Sequence, residues 1–195
     1  MQLLTALRTQ ARANRLANQR LHAAMATLSD ADYRAPRTGF FPSIAATLEH
    51  ILAVDRYYLG ALHAEADMTA QWEASPRGVA LVSLASAQVE ADERFIAHVD
   101  ALSAAGHDET VAMERGEGRV QHELRGHVIA HLLAHQLHHR GQVHAMLSGT
   151  AVKPPQLDEF LMPSEAHLRG GDMNALGWDE TDLFGAAPAV YDVRR

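Results

Sequence analysis

The stretch His127-Val128-Ile129-Ala130-His131-Leu132-Leu133-Ala134-His135-Gln136-Leu137-His138-His139-Arg140-Gly141-Gln142 decides how this chain is read. His127, His131, His135 and His139 recur at a spacing of four. On an α-helix such residues stack on one face, with Cβ atoms about 6 Å apart. Two imidazoles so placed can grip one metal ion, as the paired histidines of helical zinc motifs do. Turned at about 100° per residue, the helix puts Leu124, Val128, Leu132, Val143 and Met146 in one arc with His131, His135, His139 and Gln142, and His127 and His138 on its edge. The histidines are therefore expected to point toward the core, where an unpartnered imidazole costs about 1–3 kcal/mol. A shared metal ion removes that cost. Core histidines bonded to backbone or to other side chains are the plainer alternative, but a pair at spacing four inside an interior stripe favours the metal. The pattern predicts a helix over 121–148, stopped by Gly149 and then Pro154-Pro155.

Three further helices follow from the same periodicity. The first covers about 2–28, with the stripe Leu4, Leu7, Ala11, Asn14, Asn18, Leu21, Met25 and Leu28. The second covers about 43–65, with Ser43 as N-cap and Ile44, Leu48, Ile51, Leu52, Leu59 and Leu62 on its apolar face. The third covers about 79–104, with Leu81, Leu84, Gln88, Asp92, Phe95, Val99 and Leu102. Pro36, Gly39 and Pro42 break the chain between the first two, and Gly116-Glu117-Gly118 suggests a short hairpin within 106–120. The expected fold is all-α: a four-helix bundle with a C-terminal extension. Residues 1–180 are expected to form the bundle domain with a capping C-terminal segment, and residues 181–195 a tail.

Composition narrows the function classes. The chain has 195 residues, 47% of them hydrophobic, and a formal net charge of −7. Without cysteine it has no disulfide, thiolate ligand or cysteine nucleophile. The charge pattern lacks the basic stripe that nucleic-acid binding requires, and no apolar stretch reaches the length of a transmembrane helix. Arg8, Arg12, Arg15 and Arg20 give the N-terminus a basic cast resembling a transit peptide, but its heptad-like apolar stripe reads as a bundle helix. A cytoplasmic protein is expected.

A metal needs ligands from more than one helix. Each of the other stripes carries polar residues: Asn14 and Asn18 on the first helix, His50 on the flank of the second, Gln88 and Asp92 on the third. His50 with His135 and His139 is the economical set, although periodicity by itself does not exclude His131. Imidazoles suit zinc, nickel, copper or ferrous iron, and three protein ligands leave open positions, as catalytic sites do. Asn18, His131 and Gln142 are candidates to support the ligands. Asp55 is expected to pair with an arginine, Arg140 being the nearest choice. A second apolar side of the fourth helix, Ile129, Leu133, Leu137 and Leu147, requires cover by the C-terminal segment or by a second subunit, and a homodimer packed through this face is expected.

The run His131-Leu132-Leu133-Ala134-His135-Gln136-Leu137-His138-His139-Arg140-Gly141-Gln142-Val143 resembles the signature of the DinB-like (damage-inducible) family of the DinB/YfiT superfamily. Leu48-Glu49-His50-Ile51-Leu52 resembles the other family motif, and Pro155-Gln156-Leu157-Asp158-Glu159-Phe160 looks like the tail of one bacterial branch. The resemblance spans about residues 1–180. It implies a four-helix bundle, usually dimeric, with a divalent ion on three histidines that map to His50, His135 and His139. It also implies chemistry with low-molecular-weight thiols such as mycothiol or bacillithiol. Two functions are set against each other: a metalloenzyme presenting activated water or thiol, acting as a thiol-dependent transferase or hydrolase-like enzyme on a small-molecule substrate, and a non-catalytic metal-binding stress-response protein. A helical interaction protein with ordinary core histidines is a third.

Overall fold

A computed structural model describes residues 3–75, 77–158 and 162–185. Four long helices dominate it: α1 (Leu3–Met25), α3 (Ile44–Leu62), α5 (Leu81–Ala101) and α7 (Arg125–Leu147). Helix α3 packs on both α5 and α7, and α1 packs on the same two, closing a ring around the main core. That core is built from the expected stripes: Leu21 and Met25 of α1, Leu48 and Leu59 of α3, Leu84 and Phe95 of α5, Val128 and Leu132 of α7. Short helices α2 (Asp30–Arg34), α4 (Met68–Glu73) and α6 (Ala104–His107) fill the connections.

Local chemistry sets the boundaries. Ser43 caps α3, its Oγ accepting from the Ala46 N–H at 3.1 Å. At Gly39 a Cβ would lie 2.6 Å from Met146 Cε, the movable end of that side chain, and 3.1 Å from the Phe41 carbonyl oxygen, so a larger residue there would require both to give.

The chain is not purely helical. Strands β1 (Thr110–Glu114) and β2 (Val120–Leu124) pair antiparallel, Thr110 opposite Leu124 and Glu114 opposite Val120. Gly116, Glu117 and Gly118 all take positive φ at the tip, a conformation that two glycines make cheap. The fourth helix therefore starts at Arg125 and not at 121. No breaker separates β2 from α7, so the apolar arc assigned to the helix had absorbed Leu124, which is exposed and strand-borne.

Helices α8 (Ala166–Leu176) and α9 (Glu180–Phe184) lie against α1. Met173 and Leu183 pack there with Ala13, Leu16 and Ala17, and Arg169, fully buried, holds Glu180 through Nε at 3.0 Å. Residues 181–184, assigned to a tail by composition, belong to α9; residues 186–195, and Glu159 and Phe160 of the tail motif, lie outside the described residues. On the second apolar side of α7, Ile129 and Leu147 are buried in the main core of the same chain, whereas Leu137 is 67% exposed.

The core also holds a connected polar cluster. Arg140 donates through Nη1 to Asn14 Oδ1 (2.6 Å) and Asn18 Oδ1 (3.0 Å). Asn18 donates to both oxygens of Asp92, and Gln88 bridges Asp92 Oδ1 (3.1 Å) to Asp55 Oδ2 (2.7 Å). Gln136 completes it with a bond to Asp55 Oδ2. The expected Asp55–Arg140 ion pair does not form. Two glutamine amides occupy the reachable Asp55 oxygen, and two asparagines take the guanidinium.

Arg140→Ala leaves Asn14, Asn18 and Asp92 buried without their cation. The expected loss of stability is about 3–5 kcal/mol, read as a lower urea midpoint with an unchanged slope. A loss of under about 1 kcal/mol would mean the cluster does not organise the core.

Candidate metal centre

Helix α3 supplies His50, and α7 supplies His135 and His139 one turn apart. One nitrogen from each of the three lies within 4.8 Å of the others. His135 Nε2 and His50 Nε2 are 3.0 Å apart. Ring centroids are 4.9 Å apart for His50–His135, 4.7 Å for His50–His139 and 4.4 Å for His135–His139. In a tetrahedral zinc site with Zn–N of about 2.0–2.1 Å, ligand nitrogens stand roughly 3.3 Å apart. The present spacing brackets that value, so small ring rotations would seat an ion.

Electrostatics favour the ligand form. Burial, with the neighbouring His139, lowers His50 to about 4. Burial, then His139 and His50, lowers His135 to about 3. His139 is lowered by burial as well, against a bond to Gln142. All three are neutral imidazoles at neutral pH, as metal ligation requires. His135 Nδ1 is buried without a partner. The donor set is all nitrogen, which fits zinc, nickel or iron.

Gln142 Oε1 sits 2.8 Å from His139 Nδ1, and its Nε2 sits 3.1 Å from His138 Nε2. That contact fixes the His139 ring and leaves its other nitrogen toward the cluster, the arrangement by which outer hydrogen bonds orient metal ligands. The other two supporting candidates do not touch the ligands by hydrogen bonds. His131 is exposed, 6.2 Å from the His135 ring and 5.1 Å from Tyr58. Asn18 faces the opposite side of α7, in the polar cluster with Arg140 and Asp92. Asn14, Gln88 and Asp92 sit in that same cluster.

Two aromatic neighbours carry no periodic signal. Phe41, from the connection before α3, lies 4.3 Å from the His50 ring and 5.5 Å from His139. Trp72 of α4 stands edge-on to His50 at 6.4 Å. Elsewhere, His63 and His98 pair edge to face at 4.9 Å, and His98 Nε2 is buried unpartnered. His144 is tied to the Pro155 carbonyl at 2.9 Å.

A sequence profile described as DinB family matches residues 3–172. Comparison with curated proteins finds no match.

The lowered histidines set a sign for the metal-free protein. The unfolded chain takes up protons near pH 6.5, and the folded one only near 4 for His50 and 3 for His135. Their contribution is complete above about pH 6.5 and is lost as pH falls through that window. Asp92, raised by burial to about 6, opposes this trend. The contribution is therefore isolated by difference: in chelator, the stability slope between pH 6.5 and 4.5 is expected to be shallower in His135→Leu than in the parent, by up to roughly one proton. Equal slopes in denaturant titrations would contradict the assignment.

Proposed function

The chain belongs to the DinB family, and we propose that it is a metalloenzyme whose divalent ion is held by His50, His135 and His139 at the α3–α7 seam of a four-helix bundle. The observation carrying this reading is the convergence of three neutral imidazoles, from two separate helices, within 4.8 Å. A bound ion would supply Lewis acidity, lowering the pKa of a coordinated water or thiol.

The chain's own groups do the rest. Gln142 holds the His139 ring by its Nδ1. Phe41 packs against the His50 and His139 rings and restricts their turning. His50 and His135 remain partly exposed, so a small substrate can reach the centre. A structural ion would be closed off by a fourth protein ligand, and among the described residues the group has three. A reaction on a small electrophile, with water or a low-molecular-weight thiol as the nucleophile, fits this open arrangement. The metals it suits are zinc, nickel and iron.

Elemental analysis of tag-free protein, dialysed against micromolar zinc and then desalted, should return about one ion per chain. His135→Ala should lose it while staying folded. Gln142→Ala should weaken metal affinity about 10–100-fold, as loss of a ligand-orienting hydrogen bond does. If the parent keeps no ion, the reading falls. If the loaded parent turns over thiol conjugates or hydrolysable esters no faster than His135→Ala, the protein binds metal without catalysis.

A further inference from the structure

The seam between α3 and α7 does not end at the three imidazoles. His50, Val54 and Tyr57 follow one another along one face of α3, and His139, His135 and His131 run beside them on α7. Trp72 links the two ends, edge-on to His50 at 6.4 Å and to Tyr57 at 6.0 Å. Beside it lies a hollow of about 250 Å³ lined by Val54, Tyr57, Tyr58, Trp72 and Arg115, with Thr69 and Glu114. A second hollow of about 360 Å³ shares Tyr58 and Arg115 with the first and reaches His131.

Arg115 comes from the turn of the β1–β2 hairpin, and its placement is specific. Its guanidinium stands 5.5 Å from the Tyr57 ring and 6.0 Å from the Tyr58 ring. Its Nε donates to Gln121 Oε1 at 2.9 Å, and the Gln121 amide donates in turn to Glu123 Oε1 at 2.6 Å. Two carboxylates lie nearby, and one of them, Glu114, lines the same hollow. Glu123 takes Gln121, and Glu114 faces the Thr69 N–H at 3.5 Å. Among the described residues no carboxylate lies within the 4.0 Å of an ion pair with Arg115. The guanidinium lies beside the two tyrosine rings and is held at Nε, its Nη2 has a weak contact to Met113 Sδ at 3.9 Å, and the Tyr57 side chain also bonds to it, so a bidentate anion at the terminal nitrogens would displace only these neutral contacts.

We propose that Arg115, with Tyr57, Tyr58 and Trp72, forms a carboxylate-binding subsite, so that the ligand of the histidine centre is an elongated organic acid with an apolar midsection. This rests on the metal reading for the reactive end only. His50 and Tyr57 are seven residues apart on α3, about 10 Å of helix, which sets the span between the metal-binding group and the carboxylate. Arg115 would act by holding that carboxylate, and Trp72 by packing on the chain between.

Two titrations test it. In metal-free protein, 4-phenylbutanoate and 4-phenylbutanamide are followed by the Trp72 fluorescence change, with Trp72→Phe as the control that removes the signal. The acid should bind roughly five- to tenfold tighter than the amide, and Arg115→Gln should reduce that ratio to below about twofold without altering amide binding. An equal ratio in parent and variant, or no preference in the parent, overturns the subsite. In zinc-loaded protein, suberate monohydroxamate should bind more tightly than acetohydroxamate, and Arg115→Gln should remove the gain. If the carboxylate preference is present and this gain is absent, the subsite does not serve the histidine centre and that part of the proposal is wrong. Zinc content, measured on the same sample, reports on the metal reading separately, because the first titration needs no ion.

Discussion

A guanidinium taken out of water must be solvated by the protein, and Arg140 is where this fold meets that demand. Removing such a group from solvent costs several kcal/mol. Burial lowers Arg140 to about 10 despite Asp92 and Asp55, and raises Asp92 to about 6 despite Asn18 and Gln88. Asp55 is pushed well above its usual range by burial, and its Oδ1 lacks a partner, as do the Oε1 atoms of Gln88 and Gln136. The cluster draws residues from α1, α3, α5 and α7. Such an arrangement adds little net stability over an apolar core; its attested use is to fix register. Here the register it fixes is the rotation of α7.

That rotation decides the three-histidine group. Gln136 and Arg140 each follow a histidine by one residue, so the structural stripe and the ligand stripe are offset by about 100° on the same helix. With Arg140 drawn to Asn14 and Asn18 of α1, His135 and His139 are turned onto α3, where His50 waits. The two polar systems stay separate: one is sealed in the core, the other is left on a seam that a small molecule can reach.

Much of this was legible, and the gaps have physical causes. The four long helices announced themselves by apolar period, and His50 stood out as an imidazole on the flank of an otherwise apolar stripe. A spacing of four suggests one face, but four residues advance an α-helix by about 400°, so each step drifts roughly 40°. From His127 to His139 the drift is about a third of a turn. That is why His139 is buried, His135 half-buried, and His131 and His127 exposed. The Asn18 position on the stripe suggests a supporter of the ligands, but a stripe tells which way a side chain points and not which buried cluster it joins. Phe41, Trp72 and Arg115 come from a loop, a six-residue helix and a hairpin turn, segments whose period carries no information about what they lean on.

The hairpin explains why so much chemistry gathers on one side of the molecule. Its β2 strand runs without a break into α7, and the Arg125 N–H donates to the Glu109 carbonyl at 2.8 Å, so hairpin and helix share one orientation. The Tyr57 hydroxyl donates to the Glu114 carbonyl at 2.5 Å, which ties β1 to α3 as well. The hairpin is thus clamped to both helices of the histidine seam, and its turn has one position from which a side chain reaches back over the tyrosines. The arginine there stands over two tyrosine rings, with no acid within ion-pair distance among the described residues. A surface cation gains little from such a place in the free protein, since exposed charges are already well solvated by water. Its value lies in what the rings withhold from it: freedom to turn away when an anion arrives.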